Sequence, residues 1–333
     1  MTRGHEPVTV DSKDRKTRLT VLVALGANLL IAAAKAGAGV LAGSPALLSE
    51  AAHSVADSMN EVFLLAALRR SRRPADQHHP FGYGKERYFW SLLAAVGIFV
   101  MGGCFSFLQG VDALRSDHQE STAGYVAGLS VLGVALVAEG GSLLRALYQV
   151  RGQRGAGIGH DPALRTVVAE DGTAVVGVLL AAAGMALHMV TGRVVWEASA
   201  SLCIGLLLVY VAYRLGKEAR DQLIGEAVDP ELRDSIRALL DEQPEIDSVA
   251  SLLTMRLGLD SALVAARVDL RPGLDSEDVE VVSERIKAAV VKAWPQADQV
   301  FLDITEAPPS PPQASAAAPG APAGHRRESA GPA

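Results

Sequence analysis

The sequence predicts an α-helical polytopic membrane protein of six transmembrane helices followed by a C-terminal cytosolic α+β domain. Three observations predict it. Of the 333 residues, 49% are hydrophobic and only 20% charged, with a mean hydropathy of +0.22, more apolar than an aqueous globular chain of this size requires. Six apolar stretches each reach the roughly 20 residues that a helix needs to cross a bilayer. After Arg220 the pattern changes to short amphipathic segments rich in acid.

The six stretches run over 19–42, 46–68, 88–112, 122–148, 164–190 and 194–216. The 32 glycines suit close helix packing in lipid, where small residues let backbones approach; Gly39 with Gly43 and Gly124 with Gly128 are such pairs four apart. Basic residues set the orientation, because cytosolic loops of membrane proteins hold an excess of lysine and arginine. The N-terminal segment 1–18, the connections after the second and fourth stretches and the exit from the sixth carry 18 of them, against Arg115 and Arg193 on the other side. Both termini are therefore expected in the cytosol, with the chain in the plasma or inner membrane. The N-terminus mixes Glu6, Asp11 and Asp14 with its basic residues, which fits neither a secretory signal nor an acid-poor transit peptide.

Residues 221–306 are expected to form the cytosolic domain. An Asp-Pro start opens a helix over 229–243, a second helix covers 275–292, and alternating runs near 247–257, 262–270 and 299–305 read as strands, giving the order αββαβ of a ferredoxin-like module. The segment holds 8 basic and 19 acidic side chains, a net of −11, and no His or Cys. That charge repels nucleic acid and attracts cations. Beyond it, 307–333 is Pro- and Ala-rich and expected to be disordered. Cys104 and Cys203 both lie in apolar runs, so no disulfide framework or Cys-based zinc module is available.

A charge at the bilayer centre costs about 3 kcal/mol on insertion scales, so each one asks for a reason. The second stretch places Glu50, His53, Asp57, Asn60 and Glu61 three and four residues apart, one polar stripe on a helix face. His53 and Asp57, one turn apart, read as a ligand pair; Glu50 and Glu61 read as residues near the helix ends that meet headgroups or water. The fifth stretch brings Glu170 and Asp171. Adjacent residues project about 100° apart, so Glu170 is favoured as the ligand that joins His53, with Asp171 as a second ligand or as partner of Lys35, the lone basic residue in the first stretch. Asn28 shares the Lys35 face, and Glu139 is a further deep acid serving as a proton site or as a bundle-locking group. One imidazole with two or three carboxylates suits a first-row divalent cation. Zinc leads because four ligands close a tetrahedron; manganese, iron and cobalt stay open.

The run GSPALLSEAAHSVADSMNE, with Asn28 and Lys35 before it and DQHHPFGYGKERYFW after it, resembles the cation diffusion facilitator family of metal/proton antiporters over about residues 19–306. Together with VVAEDGTAVVG, it looks most similar to the branch containing the eukaryotic mitochondrial zinc transporter. The resemblance implies that His53 and Asp57 form the second-helix half of the transport site. The fifth-helix half departs from the family: Val167 and Thr166 stand four residues before Asp171 and Glu170, where a His or Asp is usual. It also implies a possible second metal site at Asp76 and His79, where Tyr83 occupies the place of a second His and His78 is the available substitute. The domain 221–306 is implied to dimerise without the regulatory zinc of some relatives. The resulting expectation is a homodimer, not an enzyme, that exports a divalent cation, with zinc the leading candidate, in exchange for protons by alternating access, with no tightly bound cofactor and no nucleic-acid partner. The competing expectations are a transport-inactive membrane scaffold, and an intramembrane hydrolase, which the want of an HExxH-type pair disfavours.

Overall fold

The computed structural model describes residues 10–115, 122–153 and 162–305; the N-terminal nine residues and the tail expected to be disordered lie outside the described residues. Two compact units are present: one comprises residues up to Glu226 with the turn 256–261, and the other comprises 227–255 and the chain from Ala262 onward.

The first unit is helical: α1 (Val10–Ala42), α2 (Pro45–Arg70), α3 (Glu86–Gly97), a π-helical stretch (Ile98–Cys104), α4 (Phe105–Arg115), α5 (Thr122–Gln153), α6 (Pro162–Thr191) and α7 (Val195–Ile224). Among the described residues, five helical segments have the length and apolarity to cross a membrane: Leu25–Ala42, Glu86–Arg115, Ala123–Tyr148, Val168–Thr191 and Val195–Ile224. The third expected helix is thus a single continuous segment over Glu86–Arg115, interrupted by the π turn. Its Gly102 and Gly103 lie against Leu208 and Val209 of α7, and glycine is a weak holder of α geometry. The helix α2 is absent from the five although its 26 residues span about 39 Å at 1.5 Å each. Its polar stripe lowers its apolarity.

Turn chemistry fixes the hairpins. Gly43 (φ 71°) breaks α1, Ser44 caps α2 by accepting from the Leu47 amide at 3.3 Å, and Pro45 takes the first turn, where its missing N–H costs nothing. The short link between α6 and α7 turns at Gly192 (φ 65°). A core of Leu47, Leu132, Val178, Met185, Ile204 and Leu208 joins α2, α5, α6 and α7. Gly128 is needed there, because a Cβ on it would strike Met185.

The second unit follows the order read from sequence: α8 (Pro230–Asp241), β1 (Ile246–Arg256), β2 (Ala262–Leu270), α9 (Ser276–Ala293) and β3 (Gln299–Ile304). Its three strands form a mixed sheet of order β1-β2-β3, with β2 and β3 parallel and Ala265 opposite Phe301. Ile236, Leu240, Val264, Val268, Ile286 and Val290 bury the helices against it. Asp229 precedes α8 as expected but makes no side-chain cap. The complete capping box belongs to α9, between Asp275 and Asp278.

Candidate metal centre

The polar stripe of α2 divides into two environments. On one side is a sealed charge network. Lys35 of α1, 1% exposed, donates to Glu50 (2.9 Å), to Ser54 (3.0 Å) and to Glu139 of α5 (2.9 Å). An ammonium has three donors, and all three are taken. Glu50 is fully buried; its second carboxylate oxygen faces His53 Nδ1 at 3.4 Å. Glu50 therefore meets neither headgroup nor water, and Lys35 serves Glu50 and Glu139 rather than the α6 carboxylates. A single-helix reading could place these residues on a face but could not show which neighbour each face would meet. Glu61 is reached by the Asn28 side-chain amide at 2.8 Å, so α1 lines the polar seam along two turns.

On the other side is a cavity of about 430 Å³ lined by His53 and Asp57 of α2, Glu170 and Thr173 of α6, Ile98 of the π turn, and Tyr210, Arg214 and Glu218 of α7. His53 is 3% exposed, and its Nε2 stands 3.5 Å from Asp57 Oδ2. The Asn60 side-chain amide donates to Glu170 Oε1 at 3.1 Å, fixing that carboxylate beside α2. Asp171 turns away: its Oδ2 accepts from Ser142 of α5 at 2.7 Å. The 100° offset thus separates the two acids, with His53, Asp57 and Glu170 around one cavity and Asp171 outside its lining. Among the described residues, no three His, Cys, Asp or Glu side chains yet close on a single point.

A second buried polar cluster escaped the sequence reading. His188 near the end of α6 is 2.8 Å from Glu197 in the first turn of α7, and Ser44 donates to the other Glu197 oxygen. Tyr125 of α5 meets the imidazole edge-on, with ring centroids 5.4 Å apart. From Glu170 to His188 is 18 residues, roughly 27 Å along the helix axis, so this cluster closes the bundle end remote from the cavity. The available signal was two ionisable residues flanking a three-residue link between apolar stretches.

The loop after α2 is organised by Asp76. One oxygen accepts the amides of His78 (2.9 Å) and His79 (2.8 Å), and the other accepts the Tyr83 hydroxyl (2.6 Å). The Tyr83 hydrogen bond, with the His79 amide next in importance, holds the Asp76 carboxyl below its ordinary range, and the same hydrogen bond makes the Tyr83 hydroxyl harder to ionise. His79 Nδ1 is 3.6 Å from Asp76 and its ring stacks on Tyr83 at 4.2 Å. Asp76 thus closes this loop, with His79 and Tyr83 against it and His78 meeting it through the backbone.

Residues 21–224 match the cation efflux transmembrane domain family. The chain is 33% identical over 277 residues to metal tolerance protein C4 of Arabidopsis thaliana, an alignment covering 80% of this chain and 60% of that one. It is 31% identical over 282 residues to the mitochondrial proton-coupled zinc antiporter SLC30A9 of Xenopus laevis, covering 80% and 50%. With the manganese efflux system protein MneP of Bacillus subtilis it shares 26% over 313 residues, covering 88% and 97%. The chain therefore spans only half to three-fifths of the first two relatives. Members of the matched family are membrane transporters rather than enzymes. With that domain filling most of its helical unit, the chain belongs to the cation diffusion facilitator family of divalent-cation efflux proteins.

Proposed function

We propose that the protein is a homodimeric, six-span antiporter that exports zinc from the cytosol in exchange for protons across the plasma or inner membrane, with α2 as the sixth span. The observation that carries this reading is the cavity that brings His53 and Asp57 of α2 to the same space as Glu170 of α6. Two carboxylates and one neutral imidazole balance a divalent charge, and imidazole favours zinc over the all-oxygen sites suited to magnesium or calcium. The relatives named for zinc and for manganese support a transition-metal cargo.

The lining residues on α7 lie toward its C-terminal end and those on α6 toward its N-terminal end. These are the ends next to the basic connections, so the cavity is the cytosolic approach. A cation entering it draws Glu170 toward the His53–Asp57 pair. Loading requires the ligands to be deprotonated, so it releases protons to the cytosol. Alternating access then exposes the site to the other side, where protonation of the carboxylates expels the cation. Asp171, held by Ser142, serves as a supporting acid. The acidic C-terminal domain raises the local cation concentration electrostatically and pairs two protomers.

The test is cation flux in proteoliposomes with an internal pH dye. Zinc should move with opposite proton flux and exceed manganese, iron and cobalt; manganese exceeding zinc would move the assignment to an oxygen-dominated site, and no flux for any of the four would leave only a scaffold.

A further inference from the structure

We propose that Glu50 is the positioning residue of the transport site: it holds the Nδ1 proton of His53 and so presents Nε2 as the metal-binding nitrogen, with Lys35 supplying its counter-charge. The inference rests on the assignment of His53 as a ligand.

The imidazole lies between two carboxylates, and the structure makes them unequal. Glu50 stands 3.4 Å from Nδ1, is fully buried, does not line the cavity and has its other oxygen bonded to Lys35 at 2.9 Å. Asp57 stands 3.5 Å from Nε2, keeps 40% of its side chain exposed and lines the cavity. A cation arriving through the cavity therefore meets Nε2 and Asp57, while Glu50 can only accept the proton that remains on the ring. A metal-ligating His commonly donates its other N–H to a carboxylate, which fixes tautomer and ring orientation, and losing that partner costs 10–100-fold in metal affinity.

The surrounding residues are arranged for the same purpose. Lys35 spends its three donors on Glu50, Ser54 and Glu139, so Glu50 is held to one rotamer and is not drawn to the cation. Gly177 of α6 leaves the space: a Cβ there would overlap Glu50 Oε1 and come within 3.2 Å of His53 Nδ1. Neither Lys35 nor Glu50 lines the cavity, and the contact that Glu50 makes with a cavity-lining residue is the one with His53 Nδ1.

The experiment is zinc titration of the purified full-length protein, wild type, Glu50→Gln, His53→Ala and the double variant, with a folded dimer verified for each. Glu50→Gln should weaken zinc binding 10–100-fold at unchanged stoichiometry, and should add little once His53 is gone. Equal weakening by Glu50→Gln with and without His53 would mean a merely structural role and overturn the proposal. Wild-type affinity in His53→Ala would remove the ligand assignment itself, a different outcome. Should Glu50→Gln fail to fold, nitrogen NMR of the zinc-loaded wild type decides: protonated Nδ1 with metal-bound Nε2 supports the proposal, and the reverse pattern overturns it.

Discussion

Glu170 and Asp171 are neighbours in the chain, yet one lines the cavity beside Asn60 and the other is bonded to Ser142 of α5. Glu170→Gln should therefore weaken zinc binding by at least the roughly 10–100-fold that losing the hydrogen-bond partner of a ligand costs, and Asp171→Asn less; titration of both variants with zinc checks the ranking. In the loop after α2, the Tyr83 hydroxyl holds Asp76 below its ordinary carboxyl range. A carboxyl depressed in the folded state stabilises the loop above the unfolded value near 3.9 and loses that contribution as pH falls through its folded value. Tyr83→Phe should raise the Asp76 pKa toward its ordinary range, read by NMR titration of the side-chain carboxyl. Which groups would be paired was the illegible part of the site. Periodicity put Glu50, His53 and Asp57 on one face of α2, but the partner of a face depends on how α1, α5 and α6 are rotated against it. Sequence alone therefore offers Lys35 to Asp171 and reads Glu50 as a helix-end residue, where the structure pairs Lys35 with Glu50 and Glu139.

The positions and order of the helices were legible because a bilayer demands about 20 apolar residues, although α1 and α7 run several residues beyond their apolar stretches. Along the C-terminal unit the change from 3.6-residue to two-residue alternation located each described strand to within a residue or two. What periodicity does not encode is the π turn at Ile98–Cys104, which follows from Gly102 and Gly103 meeting α7. Nor did it reveal the joint of α6 and α7. There Glu197 is fully buried and held by His188 and Ser44. Removing Glu197 leaves His188 and Ser44 as buried polar groups without their partner, at about 1–3 kcal/mol each, so Glu197→Ala should lower the thermal unfolding midpoint clearly. Glu218→Ala on the cavity-facing half of the same helix should not; differential scanning fluorimetry in detergent compares the two.

In the whole molecule, the buried ionisable side chains of α1, α2 and α5 lie in the helical unit, and residues 221–306 carry a net charge of −11. The acidic unit has its own buried core, and 221–306 offers no His or Cys to a metal. The full chain should thus have the same dimer mass in light scattering whether zinc or chelator is present; a dimer seen only with zinc would place a metal site between protomers and contradict a metal-independent interface. The central claim is that cargo and protons share the His53–Asp57–Glu170 cavity. Coupled zinc and proton flux in proteoliposomes, measured for wild type, His53→Ala and Asp57→Ala at matched dimer content, tests it most directly. Both fluxes should be lost together in each variant. Wild-type zinc flux in either variant would show that the stripe on α2 is architectural and that the cation crosses elsewhere.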